Sequence, residues 1–217
     1  MIQALLWDMD GVLVDTTELH FWSWSTALQE HGRDLTYQDF LTTFGKNNRA
    51  TLLQLFGPLA DDLIQSITDQ KEILFRQHIN GQVKIYPGVM DWLNFAKENG
   101  VLCAIASSAP PENIAAILEH FDLNSYFTAL VSASALPSKP DPAVFLAAAK
   151  QLEVLPASCL VLEDAPSGAL AARRAGMNCL VVLTTRSWSE FPPVELFLNQ
   201  LSDLNPAEAL KKIGQAD

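Results

Sequence analysis

The chain has 217 residues, 49% of them apolar and 18% charged, a composition that buries a core without disulfides or structural metal and excludes a disordered chain. With 14 basic and 25 acidic residues the net charge is −11. That excludes a body built to hold nucleic acid or an anionic membrane surface, while leaving room for a small anion in a local positive site. At about 150 residues per domain, the length suits either one large domain or a core of ordinary size carrying a smaller insertion.

In chain order, Ile2 to Trp7 is a short apolar run ending at Asp8, the pattern of a buried strand feeding a loop. Residues 16 to 83 contain no such run and read as helix after helix. His20–His31 carries the stripe Phe21, Trp24, Ala27 and Leu28; Lys46–Phe56 carries Leu52, Leu53 and Phe56; Leu59–Ile79 carries Leu63, Ile64, Ile67, Ile73 and Leu74. From Gly88 the rhythm changes. Helical patterns over Gly88–Asn99, Pro111–Phe121, Pro142–Leu152 and Ser167–Ala175 alternate with apolar runs at Val101–Ala106, Thr128–Val131, Cys159–Leu162 and Cys179–Leu183. Buried strands alternating with amphipathic helices predict an α/β fold, a doubly wound parallel sheet with helices on both faces. The helical block predicts an inserted cap, with residues 1–15 and 84–217 forming the core domain and 16–83 the cap.

Cys103, Cys159 and Cys179 are odd in number, widely spaced and set in apolar stretches, so they read as buried free thiols. MIQALLWDMDG lacks the basic region and apolar run of a signal peptide, and no apolar segment reaches about 18 residues. A reducing cytoplasm is the expected compartment.

In an open parallel sheet, ligands gather at the carboxyl ends of the strands. Those ends carry Asp8-Met9-Asp10, Ser107-Ser108 and Glu163-Asp164, and Lys139 lies in a loop before a helix. Each alone is an ordinary cap, turn or surface residue. Together they are what phosphoryl transfer needs. Carboxylates from two strand ends suit Mg²⁺, while an ammonium, a hydroxyl and backbone N–H groups neutralise and hold the phosphate. A carboxylate then attacks phosphorus. A second one, two residues on and facing the same side of an extended strand, moves the proton. Gly11 permits the tight turn that follows.

Asp8-Met9-Asp10-Gly11-Val12-Leu13-Val14-Asp15 resembles the first signature of the haloacid dehalogenase superfamily, DxDGxxxD. Ser107, Lys139 in Lys-Pro-Asp-Pro, and Glu163-Asp164 resemble the second, third and fourth, in order and with suitable spacing over essentially the whole chain. Asp at position 10 is similar to the phosphate-processing members rather than the dehalogenases. The helical insert resembles a C1 cap, and the subgroup it looks like is that of β-phosphoglucomutase and related sugar-phosphate phosphatases. The resemblance implies that Asp8 is nucleophile and Mg²⁺ ligand. It implies that Asp10 is the general acid/base and binds metal through its carbonyl. Glu163 and Asp164 complete the metal site, and Ser107, Ser108 and Lys139 hold phosphate. Asp15 is read as bracing the cap linker. In the cap, the resemblance places His20 beside Asp10 and brings Lys71 toward substrate. Arg49 sits in a helix-opening segment, Gly45–Arg49, suited to an anionic or polyhydroxy ligand. The expected activity is a Mg²⁺-dependent phosphatase acting on a small phosphorylated metabolite, a sugar phosphate, through an aspartyl-phosphate. A β-phosphoglucomutase-type phosphomutase and a non-catalytic binding protein of the same fold are the alternatives. A monomer with no nucleic-acid or membrane partner is expected.

Overall fold

The computed structural model describes residues 1–215. Six parallel strands form the main sheet: β1 (Ala4–Trp7), β4 (Leu102–Ser107), β5 (Ala129–Ser132), β6 (Cys159–Glu163), β7 (Asn178–Val182) and β8 (Leu196–Leu198), in the order β5-β4-β1-β6-β7-β8. The first strand in the chain is therefore central, with β4 on one side and β6 on the other. Ala4 pairs in register with both Leu102 and Cys159, and Trp7 with both Ile105 and Leu162.

The apolar runs are continuous because both faces of the sheet are covered. Alternate residues of β1 serve different layers. Leu5 and Trp7 join a cluster with Trp92, Ile114 and Ile117 from the helices α5 (Val89–Glu98) and α6 (Pro111–His120). Ala4 and Leu6 join the opposite cluster with Phe145, Ala148, Ala169 and Ala172 from α7 (Ala143–Gln151) and α8 (Pro166–Arg174). Alanines at 104 and 106 on that face of β4 let these Ala-rich helices come close. The expected strands and core helices are all present, with ends displaced by at most two residues. The edge strand β8 and the last helix α9 (Pro206–Ile213) have no counterpart in the sequence reading. All three cysteines are buried and unpaired, as expected. Among the described residues, no helix is long and apolar enough to cross a membrane.

Between β1 and β4 the chain makes a two-stranded antiparallel ribbon, β2 (Val14–Asp15) with β3 (Lys84–Ile85), in which Asp15 lies opposite Lys84. Four helices stand between these two strands: α1 (Thr17–Glu30), α2 (Tyr37–Thr43), α3 (Asn48–Phe56) and α4 (Asp61–Gln77). They enclose their own apolar cluster of Trp24, Ala27, Leu28, Phe40, Leu52, Ile64 and Ile67. The helix α2 is additional to the sequence reading. Thr36 begins it, its side chain accepting from the Asp39 N–H.

Candidate active site

β1 ends at Trp7, where the sheet order divides, and the next residues enter the crevice beneath the helical cap. The strand has already ended at Asp8, so strand alternation does not bring Asp8 and Asp10 together. A turn does: Leu13 and Val14 both donate to the Met9 carbonyl, and Gly11 donates to Val14. Gly11 has φ +93, and a Cβ there would lie 2.1 Å from Asp164 Oδ2, so glycine is required twice over.

Asp8, Glu163 and Asp164 each present a carboxylate oxygen within 4.8 Å of the others, and all three are buried. Lys139, also buried, donates to Asp8 Oδ1 and Glu163 Oε1, both at 2.7 Å. Glu163 Oε2 accepts from the N–H groups of Asp164 and Ala165. Asp164 Oδ2 accepts from the Thr185 hydroxyl at 2.5 Å. Burial pushes Asp8 up to about 7, with Glu163 and Asp10 raising it further and Lys139 opposing them. Asp164 is also pushed well up, by burial first and then by Glu163 and Asp8. Burial disfavours the charge of Lys139, but its two carboxylate partners more than offset this and raise it. One ammonium against three buried carboxylates leaves the cluster short of positive charge. A hard divalent cation suits this oxygen-only donor set.

Asp10 points the other way. Its Oδ1 accepts from the Thr16 hydroxyl at 2.5 Å and lies 3.1 Å from His20 Nε2. Burial works to raise its carboxyl, yet His20, Thr16 and Lys71 together hold it below its ordinary value. His20 itself is stacked on Phe75, ring centres 4.3 Å apart. Two carboxylates two residues apart are thus pushed in opposite directions by their surroundings.

Ser107 and Ser108 line the same crevice. The Ser107 oxygen accepts from the Ala109 N–H at 3.1 Å, while the Ser108 hydroxyl donates to the Gly45 carbonyl at 2.8 Å and ties the core to the cap. The cap wall is made by His20, Trp24, Phe40, Thr43, Asn48 and Lys71. Arg49, expected to face a ligand, does not line the crevice. Asn47 caps α3 through its side chain, and this start turns Asn48 inward and leaves Arg49 outside, 58% exposed and paired with Asp61 at 2.9 Å. Thr16, Glu72, Asn113 and Thr185 belong to the site and were not singled out in the sequence. Each is an ordinary helix or loop residue in sequence, and only long-range packing makes it a partner.

Gly168 closes the base of the site. A Cβ there would fall 1.7 Å from Glu163 Oε1, whose carboxylate is pinned by Lys139 and two N–H groups. Gly168→Ala is expected to cost about 1–3 kcal/mol as overpacking, measured as a lower urea midpoint at unchanged m-value. An unchanged midpoint would show that the carboxylate can yield.

A family model described as haloacid dehalogenase-like hydrolase matches residues 5–182. The chain belongs to that family. Among its relatives, the phosphorylated carbohydrates phosphatase of Thermotoga maritima is 30% identical over 183 residues, covering 82% of this chain and 83% of the relative. Hexitol phosphatase B of Escherichia coli is 28% identical over 219 residues, covering 96% and 97%. In fold, the haloacid dehalogenase-like chain matches the crystal structure of β-phosphoglucomutase from Clostridium difficile with a TM-score of 0.89. The two are 22% identical, over 99% of this chain and 98% of that one.

Proposed function

We propose that this chain is a Mg²⁺-dependent phosphatase that hydrolyses a sugar or sugar-alcohol monophosphate through an aspartyl-phosphate on Asp8. The observation that carries the reading is the division of the crevice. Asp8, with Lys139 and the second carboxylate pair, lies on one side, and the Asp10–Thr16–His20 group lies on the other, beneath a cap wall of mixed aromatic and polar residues. The phosphatase relatives act in the same direction. Asp8, Asp164 and the Asp10 carbonyl would hold the ion, with Glu163 supporting them. Bound there, it would keep the carboxylates ionised and offset phosphate charge.

A carboxylate oxygen of Asp8 attacks phosphorus and the bond to the leaving oxygen breaks, while Asp10, which must first take up a proton from solvent because its neighbours hold it low, delivers that proton to the leaving oxygen. Lys139 and Ser107 steady the phosphoryl oxygens. Water then attacks phosphorus, Asp10 takes its proton, and Asp8 is released with inorganic phosphate. The crevice is roofed by cap residues such as Trp24, Phe40 and Phe44 and floored by core residues such as Asp8 and Ser107. Movement of the cap helices α1–α4 against the core would admit substrate and then close to keep the transfer dry.

The wall beyond Ser108 favours a phosphatase over a mutase. Ala109 and Pro110 line it and offer no side-chain donor, Lys71 is already paired with Glu72 at 2.8 Å, and Lys46 at the rim rests on Gln54. A bisphosphate's second phosphoryl group finds little to hold it. A binding module has no need of two carboxylates two residues apart on one crevice, one beside Lys139 and the other beside Thr16 and His20.

The test is phosphate release from p-nitrophenyl phosphate and from a panel of hexitol, hexose and pentose phosphates. Mg²⁺ is expected to support turnover, EDTA to abolish it, and Ca²⁺ not to replace it, because the larger ion takes more ligands and ties up the attacking carboxylate. Full activity in EDTA would overturn the metal assignment. Glucose 6-phosphate formed from β-glucose 1-phosphate, in place of free phosphate, would establish the mutase.

A further inference from the structure

Lys71 and Glu72 are consecutive residues of α4, and both are buried, Lys71 2% exposed and Glu72 4%. Consecutive helical side chains point about 100° apart, so a buried pair facing one crevice needs other partners to hold it. Glu72 has them. Its Oε1 accepts from Lys71 Nζ at 2.8 Å and from Asn48 Nδ2 at 2.7 Å, and its Oε2 from Asn113 Nδ2 at 2.5 Å. Asn113 belongs to the core helix α6, is fully buried, and accepts from Arg76 at 2.9 Å. Lys71 Nζ also lies 5.2 Å from the Trp24 ring and 5.4 Å from the Phe75 ring. Burial would raise the Glu72 carboxyl, but Lys71, His20 and the Asn48 hydrogen bond outweigh it and hold it low. The Lys71 ammonium on the cap wall is therefore charge-matched before any substrate arrives. The match depends on a core residue, Asn113, that meets Glu72 in the closed form described here.

We propose that Glu72 is a specificity-determining residue of this site: by neutralising Lys71 inside the closed crevice, it selects uncharged polyol leaving groups and disfavours leaving groups that carry a second anion. The proposal rests on the phosphatase reading above. An uncharged hydroxyl can share Lys71 with Glu72, since an ammonium has three donors. A carboxylate or second phosphate must be buried beside Glu72 as a like charge, which is costly in a dry site.

The test moves the charge without removing hydrogen bonds. Glu72→Gln alone sets an amide N–H against Asn113 Nδ2, donor facing donor. Adding Asn113→Asp lets the new carboxylate accept from both that amide and Arg76. The double variant has the wild-type net charge, now paired with Arg76 and no longer with Lys71. Rates are compared as kcat/KM for sorbitol 6-phosphate and 2-phosphoglycolate. Wild type is expected to prefer sorbitol 6-phosphate. In the double variant the ratio of phosphoglycolate to sorbitol 6-phosphate is expected to rise roughly tenfold to a hundredfold, the worth of one freed contact to a charged group. A third change, Lys71→Met, is expected to cancel that rise.

A wild type that prefers 2-phosphoglycolate overturns the proposal without any variant. So does a folded double variant with an unchanged ratio, or a raised ratio that survives Lys71→Met. If wild type with Mg²⁺ releases no phosphate even from p-nitrophenyl phosphate, the phosphatase reading has failed and this inference falls with it. If it does release phosphate, the ratio decides the role of Glu72 alone.

Discussion

Asp8→Asn is expected to lower turnover by roughly four decades or more, the scale of loss when a covalent nucleophile is removed, while leaving the fold intact. The amide has the carboxylate's shape and can still accept from Lys139, which now holds Asp8 at 2.7 Å, but it cannot attack phosphorus. The strand behind it does not depend on the charge: all four residues of β1 are 0% exposed and are paired on both edges. The substitution removes one of three buried carboxylates that share a single ammonium. Asp8 is pushed up from 3.8 to about 7, so the metal-free native state holds a proton there that the unfolded chain has lost, and stability falls as pH rises through that window. Asp8→Asn abolishes this loss. At pH 8 without metal the variant is expected to melt no lower than wild type, and it is expected to bind Mg²⁺ more weakly by calorimetry. Turnover above roughly a tenth of wild type would reassign the nucleophile.

Lys139→Met is expected to have the largest effect on stability, about 3–5 kcal/mol at pH 8, because it breaks both pairs of a buried ion cluster by removing one partner. For a chain of this size that corresponds to roughly 6–20 °C in melting temperature. Met fills similar space, and the Phe145 ring already lies 4.8 Å from Nζ, so the loss is electrostatic rather than a cavity. Its sign with pH follows from the same linkage. Without Lys139 the Asp8 carboxyl rises further, the window in which its ionisation opposes folding widens upward, and the deficit relative to wild type grows with pH. Melting in EDTA at pH 5.5 and pH 8 checks this: the gap between variant and wild type is expected to be the larger at pH 8. Added Mg²⁺ is expected to narrow it there, since a divalent cation supplies the missing charge to the carboxylates. Equal gaps at both pH values would show that Lys139 acts by packing.

Much of the architecture was legible because it is local. Period and length marked the strands that both faces bury, Pro and Gly marked helix ends, and the four motifs stood at strand ends where topology gathers them. Val12 and Leu13 after Gly11 gave no hint that a turn, rather than a strand, sets Asp8 and Asp10 on one crevice. β8 is three residues long and α9 eight, too short for periodicity to declare them. Arg49 shows the limit for side chains: a cation at a helix start is equally suited to a ligand or to a neighbouring carboxylate, and Asp61 is twelve residues away.

Composition and motif order by themselves determined a doubly wound α/β core, a helical insertion and a phosphate-handling set of residues. These follow from hydrophobic period and from chemistry carried within short stretches of chain. Only the tertiary structure decided which charges meet. Lys139 reaches Asp8 across 131 positions, and Asn113 reaches Glu72 across 41. The protonation bias of Asp8 and Asp10 and the neutralisation of Lys71 depend on burial and on distances of a few ångströms. Coulomb energy changes several-fold with local dielectric, and neither burial nor distance is written in the spacing of residues along the chain.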